Sequence, residues 1–149
     1  MKIIAGSILS LIFLLLSTLH FYWAAGGEWA SDVVLPKNAS GNKMLHPTTL
    51  DCIVVALVLI TFAFYYLIKA ELLRFTLPGW MLKFGYWIIS GIFLLRSIGD
   101  FNYIGFTKRI RHTDFAVLDS RYFSPLCLLI ALSSLLFWVS DKKVPAKPS

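Results

Sequence analysis

The stretch PGWMLKFGYWIISGIFLLRSIGD, residues 78–100, decides how many times this chain crosses a membrane. Between Lys83 and Arg96 it has only twelve uncharged residues, a length that suits a re-entrant segment as well as a span. Pro78-Gly79 is a natural helix start. A helix from there to Asp100 is long enough to cross at a rise of about 1.5 Å per residue. Lys83 then snorkels to its interface, while Arg96 must find a polar partner inside the bundle. Read this way, the segment is a full span.

The other spans are plainer. Working outward, they cover about 3–25, 50–68 and 123–140, with 79–100 as the third and a short polar tail at 141–149. The predicted fold is an all-α membrane protein, a single domain forming a bundle of four transmembrane helices. Composition agrees: 58% of the 149 residues are hydrophobic and 15% are charged, against about 25% charged in soluble domains. Lys2 followed by an apolar run resembles a signal peptide, but Tyr22 and Trp23 stand where its cleavage site needs small residues, so an uncleaved span is expected. Tyr22, Trp23 and Trp29 mark one interface, and Trp80 and Trp138 the other. The segments Cys52–Leu57 and Cys127–Leu132 match loosely and leave open two parallel helix-hairpin repeats.

Four crossings sort the charges. Glu28, Asp32, Asp51, Asp100, Asp114 and Asp119 fall on one side with His20, His46 and His112, leaving Glu71 and Asp141 with the termini. Basic residues divide evenly. Lys2, Lys69, Arg74, Lys83, Lys142, Lys143 and Lys147 stand on the terminal side; Lys37, Lys43, Arg96, Lys108, Arg109, Arg111 and Arg121 stand on the other. Discounting Arg96 and Arg121 as partly embedded puts the termini in the cytoplasm. The net charge of +6 belongs to loops and tail, which excludes a nucleic-acid stripe.

Three constellations carry the polar chemistry. His20 through Trp29 closes the first span with a histidine, aromatics, Gly26-Gly27 and Glu28; it reads as a headgroup-level pocket or as an aromatic belt with a glycine helix end. Arg96 and Asp100 stand at i and i+4 on one helix face, a candidate structural ion pair or an anchor for an anionic ligand. The run Lys108–Arg111 is expected at lipid headgroups. Asp119 and Arg121 precede Pro125, which is placed to start the fourth span, so Asp119 caps that helix or pairs with Arg96. The candidate ligand-binding residues are therefore His20, Glu28, Arg96, Asp100 and Asp119.

No histidines share ligand spacing, so no metal is expected, and no cofactor motif is present. Cys52 and Cys127 form no C-x-x-C, which disfavours a thiol oxidase. Asn38-Ala39-Ser40 is a glycosylation sequon only if the loop is lumenal.

His20-Phe-Tyr-Trp23 with Gly26-Gly27, Leu95-Arg96-Ser-Ile-Gly-Asp100-Phe101, Gly105-Phe106, Phe115 with Asp119, and Tyr122-Phe-Ser-Pro125-Leu-Cys127 resemble a small bacterial integral-membrane family catalogued as domain of unknown function 3995. The resemblance implies a four-span protein of the bacterial inner membrane and supplies no activity, substrate or cofactor. In that pattern the Lys108–Arg111 run and the lysine tail are peripheral. Function stays open among three readings. The first is binding of an anionic or amphipathic small molecule or lipid near one interface. The second is a membrane-embedded enzyme with His, Asp and Arg chemistry. The third is a structural or accessory subunit.

Overall fold

The computed structural model describes residues 2–38 and 40–142. Ala39 of the sequon, Lys143 and Lys147 of the expected basic set, and nearly all of the polar tail lie outside the described residues. The chain is 69% helical with no strand among the described residues. The helices are α1 (Lys2–Ala24), α2 (Ser31–Val34), α3 (Thr49–Lys69), α4 (Gly79–Ile98), α5 (Asp114–Leu118) and α6 (Ser124–Lys142), the last two joined by a π-helical turn (Asp119–Phe123).

Four helices are long and apolar enough to span a membrane: Lys2–Ala24, Thr49–Lys69, Gly79–Ile98 and the unbroken Asp114–Asp141. The third is long enough to cross fully. Its 20 residues reach about 30 Å, the thickness of a hydrocarbon core. It starts at Gly79 as expected and stops at Ile98, because Gly99 takes φ +95 and breaks the helix. α3 opens with a capping box: the Thr48 side chain accepts from the Asp51 amide at 3.3 Å, and Asp51 accepts from the Thr48 amide at 2.8 Å.

The fourth span, α6, starts at Ser124 with Pro125 in its first turn, close to the expected bound, but helical turns run on upstream without a break to Asp114, so Asp119 and Arg121 lie within helix. Thr113 caps the new start, accepting from the Ala116 amide at 3.2 Å. The physical reason is that Asp114, Asp119 and Arg121 depress local hydropathy without opposing helix formation.

The helices pack as two antiparallel hairpins, α1 with α3 and α4 with α6. Without a hydrophobic drive between helices in lipid, close approach falls to small residues and interhelical hydrogen bonds. Ser17 donates to the Ala56 carbonyl at 2.8 Å, and Ser90 to the Ala131 carbonyl at 2.9 Å. Gly6 fits beside Ala70 and the Tyr66 backbone. An aromatic core of Phe13, Tyr65, Tyr66, Tyr86 and Phe137 joins the hairpins, and the Tyr66 hydroxyl meets Ser134. Leu11, Leu15, Val54, Leu57, Ile88, Ile92, Leu95, Leu129 and Leu136 stay exposed on the outside, where lipid would face them.

Candidate functional site

At the end of the bundle away from the termini, the chain builds one buried charge cluster around Asp119. The π turn places it: the Ser124 amide bonds the Asp119 carbonyl five residues back. Pro125 follows directly. In a regular helix its ring would crowd the carbonyl four residues back, and the wider turn relieves that. The turn aims Asp119 inward, where it is 0% exposed.

Asp119 accepts four hydrogen bonds. Oδ1 takes Arg96 Nη2 at 2.9 Å. Oδ2 takes Lys108 Nζ at 2.8 Å, the Gly105 amide at 2.9 Å and Ser124 Oγ at 3.0 Å. A buried carboxylate is tolerated when its lone pairs are filled by donors and its charge is paired. Here two cations face one anion, leaving a surplus of one positive charge.

The 99–113 loop makes this possible. Gly99 and Gly105, both at positive φ, pass so closely that a Cβ on either would overlap the other strand's backbone. The loop returns over α4, with the Phe106 amide on the Ser97 carbonyl at 2.9 Å and Thr107 Oγ1 on the Ile98 carbonyl at 2.7 Å, satisfying carbonyls that a helix end leaves open. Lys108, expected among lipid headgroups, is instead 2% exposed and also donates to the Gly105 carbonyl at 3.0 Å. Arg109 and Arg111 remain exposed.

The expected Arg96–Asp100 ion pair is not formed. An i, i+4 pair needs continuous helix, and α4 ends before Asp100. Asp100 Oδ1 instead accepts the amides of Asn102, Tyr103 and Ile104 at 3.0, 2.7 and 2.9 Å. Partial burial pushes its carboxyl up, but these three amides outweigh it and hold the group below the usual carboxylate range.

The five candidate residues therefore divide. Arg96 and Asp119 meet directly, and Asp100 braces the loop beside them. His20 lies at the same end, with Nδ1 donating to the Leu16 carbonyl at 2.8 Å and its ring edge against Trp23. Glu28 is exposed on the α1 exit. No hydrogen bond or ion pair joins His20 or Glu28 to the cluster among the described residues. Asp32 pairs with Lys43 at 2.8 Å, which holds its carboxyl low, while His46 and His112 are exposed. No three His, Cys, Asp or Glu side chains converge among the described residues.

The family model described as "Protein of unknown function (DUF3995)" matches residues 13–134. The chain belongs to the DUF3995 family. The matched stretch of this DUF3995 protein contains the whole Asp119 cluster and ends before Asp141. No curated protein and no solved structure matches the chain.

Sequence reasoning missed two parts of the DUF3995 bundle. One is Lys108, whose only signal was its place three residues after Gly105. The other is a second carboxylate, at the opposite end. Asp141 Oδ1 accepts Lys2 Nζ at 2.8 Å, and Oδ2 accepts Lys69 Nζ and the Tyr86 hydroxyl, each at 2.8 Å. Beside it opens a cleft of about 650 Å³ between α4 and the end of α6. Antiparallel packing brings these residues together from far apart in sequence.

Proposed function

We propose that this protein binds a small molecule or amphiphile bearing a carboxylate or phosphate at the loop-bearing end of the bundle. Arg96 is its anchor; Lys108, Asp119 and the 99–113 loop hold the guanidinium in place. The observation that carries the reading is that Arg96 is half engaged. Nη2 lies on Asp119 at 2.9 Å, while Nη1 is enclosed and meets no acceptor among the described residues. Arginine cannot shed its proton, and an enclosed donor without an acceptor costs about 1–3 kcal/mol. An anion supplies that acceptor and balances the surplus charge of Arg96 and Lys108 over Asp119. The Arg96 side chain is 33% exposed, which gives a ligand a route to it. His20 and Glu28 border the same interface, and Asp100 positions the loop.

Binding is favoured over catalysis because four hydrogen bonds commit Asp119 to Arg96, Lys108, Gly105 and Ser124. Three of the four fall on Oδ2, and the remaining lone pair of Oδ1 is fully buried beside Arg96, away from any proton to be taken from a ligand in solvent.

The host membrane in this proposal is the bacterial inner membrane, with the termini in the cytoplasm. Side-specific labelling of cysteines introduced at both ends of the bundle tests it, and labelling of the terminal end from the periplasm would reverse it.

The binding test is a thermal-shift screen of the purified protein against organic acids and anionic lipids. Stabilisation is expected in the wild type and its loss in Arg96→Ala, a variant that leaves Asp119 paired one-to-one with Lys108. Stabilisation that persists unchanged in Arg96→Ala refutes the reading.

A further inference from the structure

The Asp141 end carries features that the Arg96 proposal does not use. The cleft of about 650 Å³ is lined by Lys69, Lys83, Tyr86, Trp87, Trp138 and Asp141 among its residues. Its charge is lopsided. Asp141 is bridged by Lys2 and Lys69, each at 2.8 Å, Lys2 also reaches Glu71 at 3.3 Å, and Lys83 is the cation left over. Lys83 at the rim makes no ion pair among the described residues and rests over the exposed Phe84 ring at 5.1 Å. Its wall is aromatic, with Trp87 and Trp138 meeting edge-to-face at 5.1 Å.

We infer that this cleft is a second binding site, for the headgroup of an anionic phospholipid in the leaflet on the terminal side. Size argues for more than a bare ion: pockets of roughly 300–1,000 Å³ hold drug-sized ligands. Position argues for a lipid. Tryptophans settle at the headgroup level, and the cleft lies where α4 and α6 reach that level. Charge argues for an anion. Lys83 is uncommitted, Lys69 is held at the cleft by Asp141, and the one lining carboxylate already accepts two lysines and the Tyr86 hydroxyl. A zwitterionic choline headgroup would bring its cation against these lysines with no free carboxylate to receive it. A phosphodiester with a neutral substituent meets Lys83 and Lys69 while its glycerol edge lies along the indoles. Lysines at an interface contribute through such headgroup contacts.

The experiment is native mass spectrometry of the full chain released from nanodiscs of phosphatidylcholine containing phosphatidylglycerol. Selective retention of phosphatidylglycerol is expected in the wild type. Lys83→Glu, a change at an exposed position, should reduce that retention about tenfold, the effect of losing one charge-assisted contact. Lys83→Gln provides a milder variant should the reversal impair folding, and it should fall between the two. Adding millimolar glycerol phosphate should not displace the lipid, because the acyl chains anchor it.

Lys83→Glu should reduce retention by the same factor in the wild type and in an Arg96→Ala background, which separates this site from the one at the far end. Equal retention of both lipids, retention unaffected by either Lys83 variant, or a Lys83→Glu effect that disappears in the Arg96→Ala background overturns the inference. Displacement by glycerol phosphate overturns the lipid assignment and makes the cleft a site for a soluble phosphate ester.

Discussion

Arg96 and Asp119 face each other across the α4–α6 hairpin, Nη2 to Oδ1 at 2.9 Å, although Asp100 stands closer to Arg96 in sequence. The pair joins the end of the third span to the π turn inside the fourth. With Lys108 it fastens the connecting loop to both.

A double-mutant cycle distinguishes the two acids. Coupling between Arg96→Ala and Asp119→Ala should be about 1–3 kcal/mol, and between Arg96→Ala and Asp100→Ala under about 0.5 kcal/mol. Asp119→Ala alone should cost about 3–5 kcal/mol, because it strands two buried or half-buried cations. Reversible unfolding in mixed micelles measures all three. Comparable coupling to Asp100 would contradict the geometry.

Gly99 and Gly105 set how tightly the loop returns. Alanine at either place would add a Cβ against backbone atoms of the other, at a positive φ that L residues rarely adopt. Each substitution should destabilise by at least about 2 kcal/mol, and neither neighbour can relieve it by a rotamer change. Alanine at Gly91, whose Cβ would meet nothing within 4 Å, is the control and should be nearly silent. Thermal melting of the three variants makes the comparison.

Acid should loosen the same loop. The Asp100 carboxyl is held below its usual value in the folded chain, so its contribution is present above the ordinary aspartate value. It is lost as pH falls below about 4 and through the lower folded value. The wild-type melting temperature should therefore fall more steeply in that window than that of Asp100→Asn. Parallel curves would show that the three amide contacts do not stabilise the ionised form.

Much of the architecture was legible because the first span is an uncharged run, the second is one between Asp51 and Lys69, and the third announces itself with Pro78-Gly79. Arg96 also declared its need for a partner. What could not be read was which partner. That choice depends on α4 ending at Gly99, a backbone event that the helical spacing of Arg96 and Asp100 conceals. The helical turns upstream of α6 were hidden by Asp114, Asp119 and Arg121, of which only Asp119 gains ion-pair partners among the described residues. Lys108 sat in a basic run beside arginines that stay in solvent, with nothing local to mark it as buried. The Asp141 cluster was less legible still, since its members come from the first, second, third and last spans.

The bond from Lys2 to Asp141 also fixes an order of events. Lys2 opens the first span, and its partner leaves the ribosome only after all four spans have been made. Until then Lys2 has only Glu71, at 3.3 Å just beyond α3, and the α1–α3 hairpin lacks its ionic tie to α6. The last turn of α6 thus adds a polar clasp, at one end of the bundle, to the aromatic core that already joins the two hairpins.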